Sequence, residues 1–284
     1  MHTIARISEL RSYLYQAKLQ EKTIAFVPTM GNLHEGHLQL IDRAKQEADI
    51  VVASIFVNPL QFGPGEDFNG YPRTFTSDQE KLISRGCHIL FAPTVDEMYP
   101  TTNISSTVVK VTHLDHLLCG ASRPGHFTGV ATVVSKLFGI VQPDVAIFGL
   151  KDYQQYLVIK QMTDDLCLPV TIIGAPIARS DSGLALSSRN GYLSSAQLAQ
   201  ATHLYASLNE CKVALEGGDK DFENLTEKAQ CSLEAVGFKR DYFTICRAQD
   251  LQPATKDDKN LVIVAAAYLG KARLIDNMHV HLPA

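Results

Sequence analysis

The chain has 284 residues, of which 45% are hydrophobic and 20% are charged, as expected for a globular protein with one large domain and one small one. Its formal net charge of -4 at pH 7 argues against a protein that neutralises many phosphates of a long nucleic acid. A local basic pocket for a small anion remains compatible with this charge.

Membrane, secreted and zinc-binding proteins are also disfavoured by the sequence. There is no run of about 18 apolar residues, and the first residues, MHTIARISELRSYLYQAK, lack the apolar core and cleavage site of a signal peptide, so we expect a cytoplasmic protein. The six cysteines form no CxxC pair, which favours buried free thiols. In HLDHLLC, a helix would bring His113, His116 and Cys119 together as zinc ligands, but no fourth ligand lies nearby and we expect surface structure.

The first part of the chain alternates between strand and helix patterns. KTIAFVP (22–28) and DIVVASIFV (49–57) are apolar runs that predict buried parallel strands, and GHLQLIDRAKQEA (36–48) between them has helical spacing. Capping-box spacing predicts a helix that begins at Ser77, with Glu80 as its partner, before a strand in CHILFAP (87–93). The same pattern returns in DVAIFG (144–149), DYQQYLVIKQMTDDL (152–166) and PVTIIGAPI (169–177). We therefore predict a Rossmann-like, doubly wound parallel sheet over residues 1–177.

The remaining residues, 178–284, have a different pattern. Two helical segments, 194–216 and 221–236, precede the strand-like runs DYFTICRA, NLVIVAAAYL and ARLIDN, which short polar turns separate. This order predicts a smaller α+β domain with an antiparallel sheet, and an α/β fold for the chain as a whole.

The segment PTMGNLHEGHLQL lies between the first strong strand pattern and the first strong helix pattern. In open α/β sheets this is where ligands bind, and a helix N-terminus attracts anions such as phosphate. His34 and His37, one helical turn apart, would add side-chain donors. The alternative is a simple turn with solvated histidines. The chain contains neither a Walker loop nor a GxGxxG sequence, so the usual support for a nicotinamide or flavin cofactor is missing.

Three other segments supply cations near predicted loop edges. Lys151 follows a buried strand in FGLKDYQQ, Arg189 stands beside two serines in ALSSRNGYL, and Arg123 and His126 flank a Pro-Gly turn in ASRPGHFTGV. We expect Lys151 and Arg189 to contact phosphate, although single exposed charges are more often only solvated. For Arg123 and His126 a structural turn is an equally good explanation.

HxGH after a strand resembles the signature of the nucleotidyltransferase superfamily, and LSSRN resembles its second, phosphate-closing signature. The ordered set PTMGNLHEGHLQL, SIFVNPLQFGPGEDFNGYPRT, ASRPGHFTGVATVVSKLF, FGLKDYQQ, GLALSSRNGYL and ARLIDN is more specific, and it is similar to the pantothenate synthetases, the pantoate:β-alanine ligases. The motifs extend from residue 27 to residue 277, nearly the whole chain.

The resemblance implies a two-step reaction. The carboxylate of (R)-pantoate attacks the α-phosphate of ATP to give pantoyl adenylate and pyrophosphate, and the amine of β-alanine then displaces AMP. His34, His37, Lys151 and Arg189 are implied to be the catalytic residues, with His37 also described in the family as a proton donor. The residues implied to bind ATP are Met30, Gly31, Asn32, Leu33, His34, Glu35, Gly36, His37, Gly149, Leu150, Lys151, Asp152, Ala178, Leu186, Ser187, Ser188 and Arg189.

The resemblance also implies a pantoate pocket with Gln61 and Gln155, helped by Asn58, and Mg²⁺ that accompanies ATP without a dedicated protein site. It implies a homodimer, for which STVVKV (106–111) would suit an edge-strand contact, although a strand in an ordinary sheet explains this segment equally well. Because an exposed adenylate would hydrolyse, we also expect the C-terminal domain to act as a lid. Leu150 departs from the family, where we expect a polar residue. The rival interpretation is a nucleotidyltransferase that adenylates a phosphate-bearing substrate, which should need extra cations in the acceptor pocket.

Overall fold

The computed structural model describes residues 1–66, 68–100 and 107–283. These residues form two compact units. The first contains Met1–Leu150 and Gln154–Pro176, and the second contains the short segment Lys151–Tyr153 together with the chain from Ile177 onward.

The first unit is built around a parallel sheet, as the sequence predicted. Its strands stand in the order β1-β4-β3-β2-β5-β6, and every neighbouring pair is parallel. Helices flank the sheet. The strands are β1 (His2–Ile4), β2 (Ile24–Thr29), β3 (Ile50–Ile55), β4 (Ile89–Phe91), β5 (Val145–Gly149) and β6 (Thr171–Ala175). The helices are α1 (Ile7–Leu19), α2 (Glu35–Glu47), α3 (Phe75–Ser84), α4 (Val95–Met98), α5 (Cys119–Ser122), α6 (His126–Val141) and α7 (Tyr153–Asp165).

The core of the first unit follows from the two hydrophobic periods in the sequence. The central strands β2 and β3 are apolar on both faces because helices cover the sheet, and Phe26 and Val52 are fully buried. Helix α2 turns the side chains of Leu40, Ile41 and Ala44 towards the strands. The strand and helix predictions for this βαβ unit are confirmed.

Some predictions for this unit are wrong in detail. Helix α3 begins at Phe75, not at Ser77, because the N–H of Asp78 already bonds to the carbonyl of Thr74 at 2.9 Å; Ser77 therefore lies inside the helix and cannot cap it. Residues 112–116 form turns instead of a helix, so the helical spacing of His113, His116 and Cys119 does not exist. Helices α1 and α6 and strand β1 had not been predicted. Cys167 and Cys231 are exposed, while the other four cysteines are buried free thiols as expected.

The second unit has the predicted α+β order. Helices α8 (Ser195–Glu216) and α9 (Phe222–Ala235) pack on an antiparallel sheet of strands β7 (Lys239–Arg247), β8 (Asn260–Leu269) and β9 (Ala272–His281). Ser194 and Gln197 form a capping box at the start of α8, where each side chain accepts the other residue's backbone N–H. Among the described residues, no helix is both long and apolar enough to cross a membrane.

Candidate active site

The topological switch point of the first sheet lies at strand β2. Its neighbour on one side is β3 and on the other side is β5, so the loops that leave β2 and β5 start at adjacent strand ends. Such a crevice is the usual ligand site of open α/β sheets. The loop after β2 contains the predicted ATP residues 30–37, called the histidine loop below, and β5 ends at Gly149 and Leu150. The fold thus brings these two sequence motifs to one edge of the sheet.

The histidine loop is held by hydrogen bonds to its own backbone. Gly31 and Asn32 have positive φ angles of 83° and 50°, which turns their N–H groups towards the protein interior. The N–H of Gly31 donates to the Thr29 hydroxyl at 3.2 Å. The next two N–H groups, of Asn32 and Leu33, each donate at 2.8 Å to separate carboxylate oxygens of Asp78. These groups of the loop are therefore used internally and are not directed at a ligand.

His34 and His37 lie together at the N-terminus of α2, with ring centroids 4.1 Å apart. The backbone N–H of His34 donates to Nδ1 of His37 at 3.3 Å, so Nδ1 must carry a lone pair. The neutral His37 ring then carries its proton on Nε2. In the described part of the chain, the N–H groups of Glu35 and Gly36 form no hydrogen bond within the protein. These two backbone donors therefore remain for an anion at this helix end, beside the two rings.

One face of helix α3 supports the histidine loop, and the sequence analysis had missed it. Asp78 is fully buried and also accepts the Thr74 hydroxyl at 3.1 Å. Lys81, one turn later, donates to the carbonyl of Leu33 at 2.7 Å. Arg85 then forms ion pairs with Glu35 and Asp42 of helix α2. The i, i+3, i+7 spacing of Asp78, Lys81 and Arg85 was the available signal, since these positions share one helix face.

Gln61 lies close to Met30, one of the predicted ATP residues. Its Nε2 approaches the sulfur of Met30 at 3.1 Å, and its Oε1 accepts from Asn58 Nδ2 at 3.1 Å. The Asn58 side chain also donates to the Gly129 carbonyl and accepts from the Leu60 N–H and the Tyr99 hydroxyl. Asn58 is only 1% exposed, and these bonds use both its donors and both sides of its acceptor. The amide orientation of Gln61 is fixed as a result.

Tyr99 is a dependable donor in this network. Burial raises its pKa to about 12, because the phenolate would be poorly solvated there, so the hydroxyl keeps its proton at neutral pH. Its bond to Asn58 Oδ1 is 2.9 Å long.

A second anchor holds the segment 59–62 from helix α6. A Cβ at Gly129 would overlap the Leu60 carbonyl, so glycine permits the close approach of helix and loop. Arg123 makes two bonds to the Glu66 carboxylate, at 2.7 and 2.8 Å, and contacts Nε2 of His126 at 3.0 Å. Nδ1 of His126 lies 2.8 Å from the Gln61 carbonyl. Arg123 and His126 are thus part of a structural anchor, the alternative that the sequence had left open.

The two glutamines of DYQQ have different environments. Gln154 is buried, donates to the carbonyls of Leu114 and Leu117 and accepts the N–H of Cys119, so it fixes that turn region. Gln155 is half-buried on helix α7. Only Gln155 was predicted to contact substrate.

Leu150 has a packing partner that explains an apolar side chain at this position. It lies against Gly174 of strand β6, where any Cβ would meet the Leu150 side chain and the Tyr156 ring. The pair therefore belongs to the packing of the sheet edge.

The remaining predicted ATP residues lie in the second unit. Lys151 is half-buried, and its carbonyl accepts a bond from Asn277 Nδ2 at 3.0 Å. The Ser187 hydroxyl accepts the N–H of Arg189 at 3.2 Å and begins a 3-10 turn, Ser188–Tyr192. The N–H of Leu186 bonds to the carbonyl of Ala178 at 2.9 Å. Neither Lys151 nor Arg189 has an ion-pair partner among the described residues, so their charges remain available for an anion.

Comparison with known proteins identifies the family. The model of the pantoate-beta-alanine ligase family matches residues 2–279. The chain belongs to the pantoate-beta-alanine ligase family. It is 57% identical to the pantothenate synthetase of Pseudomonas entomophila (strain L48) over 282 residues, which cover 99% of this chain and 98% of that protein. The resemblance inferred from the motifs is therefore confirmed.

Solved structures of this family agree with the fold. The pantothenate synthetase of Thermus thermophilus superimposes with a TM-score of 0.92 at 45% identity and covers 99% of this chain and 100% of its own. The pantoate-beta-alanine ligase of Francisella tularensis, solved in complex with beta-gamma ATP and beta-alanine, gives a TM-score of 0.82 at 36% identity, with 98% and 97% coverage. The parallel sheet followed by a small antiparallel sheet is thus the architecture of the family.

Proposed function

We propose that this chain condenses (R)-pantoate with β-alanine in an ATP-dependent reaction that passes through pantoyl adenylate and releases pyrophosphate and AMP. The observation that carries the proposal is the family match, which extends over residues 2–279 and so includes both units. Activation by adenylation is chemically necessary, since a carboxylate does not react with an amine.

In the first step, the carboxylate oxygen of pantoate attacks the α-phosphorus, and the bond to the bridging oxygen of pyrophosphate breaks. Negative charge grows on the leaving pyrophosphate, so the site must supply positive charge and hydrogen-bond donors. We assign this role to the Nε2 proton of His37, to His34, to the N–H groups of Glu35 and Gly36, and to the cations Lys151 and Arg189. Ser187 and Ser188 add hydroxyl donors to the phosphates.

For Asn32 and Leu33 we propose a structural role instead of a contact between their N–H groups and ATP. Their N–H groups are bound to Asp78, so we assign them to the shape of the histidine loop. The other members of the predicted ATP set keep the role that the sequence suggested.

The pantoate pocket is assigned to Gln61 and Gln155. Because Oε1 of Gln61 is already held by Asn58, its Nε2 is the group that can donate to the hydroxyl or carboxylate of pantoate. Asn58 has its hydrogen-bonding groups occupied by the protein, and we assign it to holding Gln61 in place.

A phosphate-bearing acceptor, the rival interpretation, fits this environment less well. Arg123 contacts the Gln61 carbonyl, and the carboxylate of Glu66 neutralises its charge. An uncharged amide suits a small hydroxy acid better than a dianionic phosphate.

Mg²⁺ is proposed to accompany the nucleotide. No cluster of three or more His, Cys, Asp or Glu side chains suited to a metal occurs in the described ranges. We propose that phosphate oxygens and water supply most of the ligands of the ion. Such an ion would neutralise charge on the β- and γ-phosphates. We propose the exposed Asp152 as an indirect participant in Mg²⁺ binding.

Two further expectations remain proposals. A homodimer is proposed from the family. Residues 107–111 of the suggested contact form no strand in the described chain and Ser106 lies outside the described residues, so the edge-strand contact stays a prediction. Light scattering of the purified protein would give the oligomeric state. A lid role for the second unit would be tested by comparing structures with and without nucleotide.

The reaction is tested by pyrophosphate–ATP exchange, measured with and without (R)-pantoate in the presence of Mg²⁺, followed by addition of β-alanine. We expect exchange only with pantoate, and pantothenate and AMP in equal amounts after β-alanine is added. A folded protein that gives neither exchange nor product would refute the substrate assignment. Exchange with a phosphate-bearing acid instead of pantoate would support the rival interpretation.

A further inference from the structure

The motif ARLIDN on strand β9 carries two buried polar residues to which the proposed reaction gives no role. Asp276 is 4% exposed and Asn277 is 3% exposed. Adjacent residues in a strand point to opposite faces, so the two side chains reach different neighbours. A buried carboxylate and a buried amide are costly unless they have well-placed partners, and each of these has one outside its own sheet.

The partner of Asp276 is Arg179. The guanidinium makes a bidentate pair with the carboxylate, with distances of 2.6 and 2.9 Å. It also donates to the carbonyl of Gly183 at 3.0 Å and lies over the ring of Tyr205, 4.3 Å from its centroid. A Cβ at Gly183 would overlap that ring, and its φ of +87° independently favours glycine.

These contacts close a tight hairpin over residues 178–186. Arg179 and Ala185 form an antiparallel bridge, and the N–H of Ser180 donates to the carbonyl of Leu184 at 2.9 Å. The hairpin leads directly into Ser187, Ser188 and Arg189. Residues 178–189 are called the serine–arginine loop below. Their conformation depends on the ion pair between Asp276 and Arg179.

The partner of Asn277 is the Lys151 segment. Nδ2 of Asn277 donates to the Lys151 carbonyl at 3.0 Å, a contact between residues 126 positions apart. The same segment is held again at Tyr153, whose hydroxyl donates to the carbonyl of Ala248 at 2.7 Å and whose ring meets His279 edge to face. Lys151–Tyr153 is therefore fixed by contacts within the second unit.

We infer that Asp276 and Asn277 are positioning residues that set the placement of two phosphate-binding segments, Lys151 and the serine–arginine loop, from neighbouring positions of one strand. The inference rests on the proposed function, which assigns Lys151 and Arg189 to the phosphates. A small displacement of a positioned charge can cost a large part of the rate, because stabilisation of the transition state depends on preorganised geometry.

A purely structural role would not explain why these two buried residues are polar. Buried ion pairs can often be replaced by apolar side chains with no loss of stability, whereas the Arg179–Asp276 pair also fixes the carbonyl of Gly183 in the loop. Likewise, Asn277 donates to a segment outside the β-sheet, although an apolar residue would fill the same space without a buried polar group.

The test uses Asn277→Asp, which keeps the shape but replaces the donor to Lys151, and Arg179→Lys, which keeps the charge but loses the bidentate pair. The matched control is Arg273→Met. Arg273 pairs with Asp241 on the same sheet at 2.7 Å, with side chains 15% and 14% exposed. Melting temperature, kcat, KM for each substrate and backbone hydrogen exchange are measured for all four proteins.

We expect Asn277→Asp and Arg179→Lys to lower pantoate-dependent exchange by about tenfold or more, with KM for β-alanine changed by less than about twofold. Hydrogen exchange should accelerate at residues 151–153 in the first variant and at 178–190 in the second. Arg273→Met should have a lower melting temperature without faster local hydrogen exchange, and it should keep its pantoate-dependent pyrophosphate–ATP exchange.

Unchanged protection of both segments would overturn the inference for any substrate, since this readout does not depend on the reaction. Faster hydrogen exchange in the two segments, together with full enzymatic activity, would show that the placement of the segments does not matter for catalysis. If the wild-type protein lacks pantoate-dependent activity, the proposed function fails, and hydrogen exchange still decides whether Asp276 and Asn277 hold the two segments.

Discussion

The histidine loop and the serine–arginine loop are each anchored by a buried carboxylate, but the groups that the two carboxylates bind are different. In the first, the fully buried carboxylate of Asp78 accepts only neutral donors, two backbone N–H groups and the Thr74 hydroxyl. In the second, the carboxylate of Asp276 is neutralised by Arg179, which then binds the loop backbone. One loop is held directly by an anion and the other through a cation.

The largest effect is expected at Lys151, one of the two cations of the second unit that we propose to contact the phosphates. Lys151→Ala should lower kcat about 10²–10³-fold, because a preorganised donor to the phosphates is lost. Its melting temperature should hardly change, since the side chain has no ion-pair partner among the described residues. Exchange kinetics and thermal melting of the variant measure both quantities.

Lys160→Ala provides the control for this prediction. Lys160 is half-exposed on helix α7 and pairs only with Asp164 of the same helix. Both activity and melting temperature should remain near wild type, as is usual for exposed pairs. Equal activity of the two alanine variants would remove Lys151 from the reaction.

The next largest effect is expected from Asp78→Asn, which tests the anion that holds the histidine loop. The amide group would turn an N–H towards a backbone N–H and leave a buried donor unsatisfied, at a cost of about 1–3 kcal/mol in the free energy of unfolding. We expect at least about a tenfold rise in KM for ATP or fall in kcat, because the rings of His34 and His37 lose their fixed loop. Steady-state kinetics with varied ATP would show it.

Asp49→Asn is the comparison for this variant. Asp49 also accepts a backbone N–H and a threonine hydroxyl, both from Thr23. It precedes the amino end of strand β3, whereas the histidine loop follows the carboxyl end of the parallel strand β2. It should keep wild-type kinetics. A normal KM and kcat for Asp78→Asn would show that the loop keeps its shape without its anchor.

The comparison also explains which features the sequence could predict. HxGH and LSSRN are local patterns, and the hydrophobic periods place HxGH between a strand and a helix, so the position of its loop and the parallel sheet were predicted correctly. Their anchors are not local: Asp78 lies 45 residues beyond Leu33, and Asp276 lies 97 residues beyond Arg179. The role of Asp78 was missed because a capping box was predicted at Ser77, whereas the helix begins before that residue. ARLIDN was recognised as a motif, but its role required the tertiary contacts.

A smaller effect is expected where the first unit ends at Leu150, directly before Lys151. Gly174→Ala would force the Leu150 side chain to move, and a small-to-large change of this kind costs about 1–3 kcal/mol. Leu150→Ala in the same protein makes room for the new methyl group and should recover part of this loss. Chemical denaturation of the two single variants and the double variant measures the coupling.

The outcome separates packing from catalysis at this boundary. If Leu150 acts only through Gly174, the double variant should regain stability, and its KM for ATP should remain near wild type. Strictly additive losses in the double variant would contradict the packing account of Leu150.

The smallest effect is expected at the partly buried anchor formed by Glu66 and Arg123, whose carboxylate is more exposed than those of Asp78 and Asp276. Hydrogen bonds from the Arg123 guanidinium hold the pKa of Glu66 below its ordinary value of 4.5. Because the folded-state pKa is the lower one, the folded protein binds fewer protons than the unfolded chain as the pH falls through this range. The stabilisation is fully present above about pH 4.5 and is lost as the pH falls through the lowered pKa of Glu66.

Glu66→Gln should therefore melt at a lower temperature than the wild type at pH 7, and the difference should shrink as the pH is lowered through and below 4.5. Melting curves of both proteins across this pH range provide the measurement. A difference that stays constant down to acid pH would mean that the side chain stabilises the fold by packing and not by its charge. In that case Arg123 would hold the Gln61 segment through His126 and its own contact with the Gln61 carbonyl, and the anchor would resemble the neutral network around Asn58 more than the ion pair of Asp276.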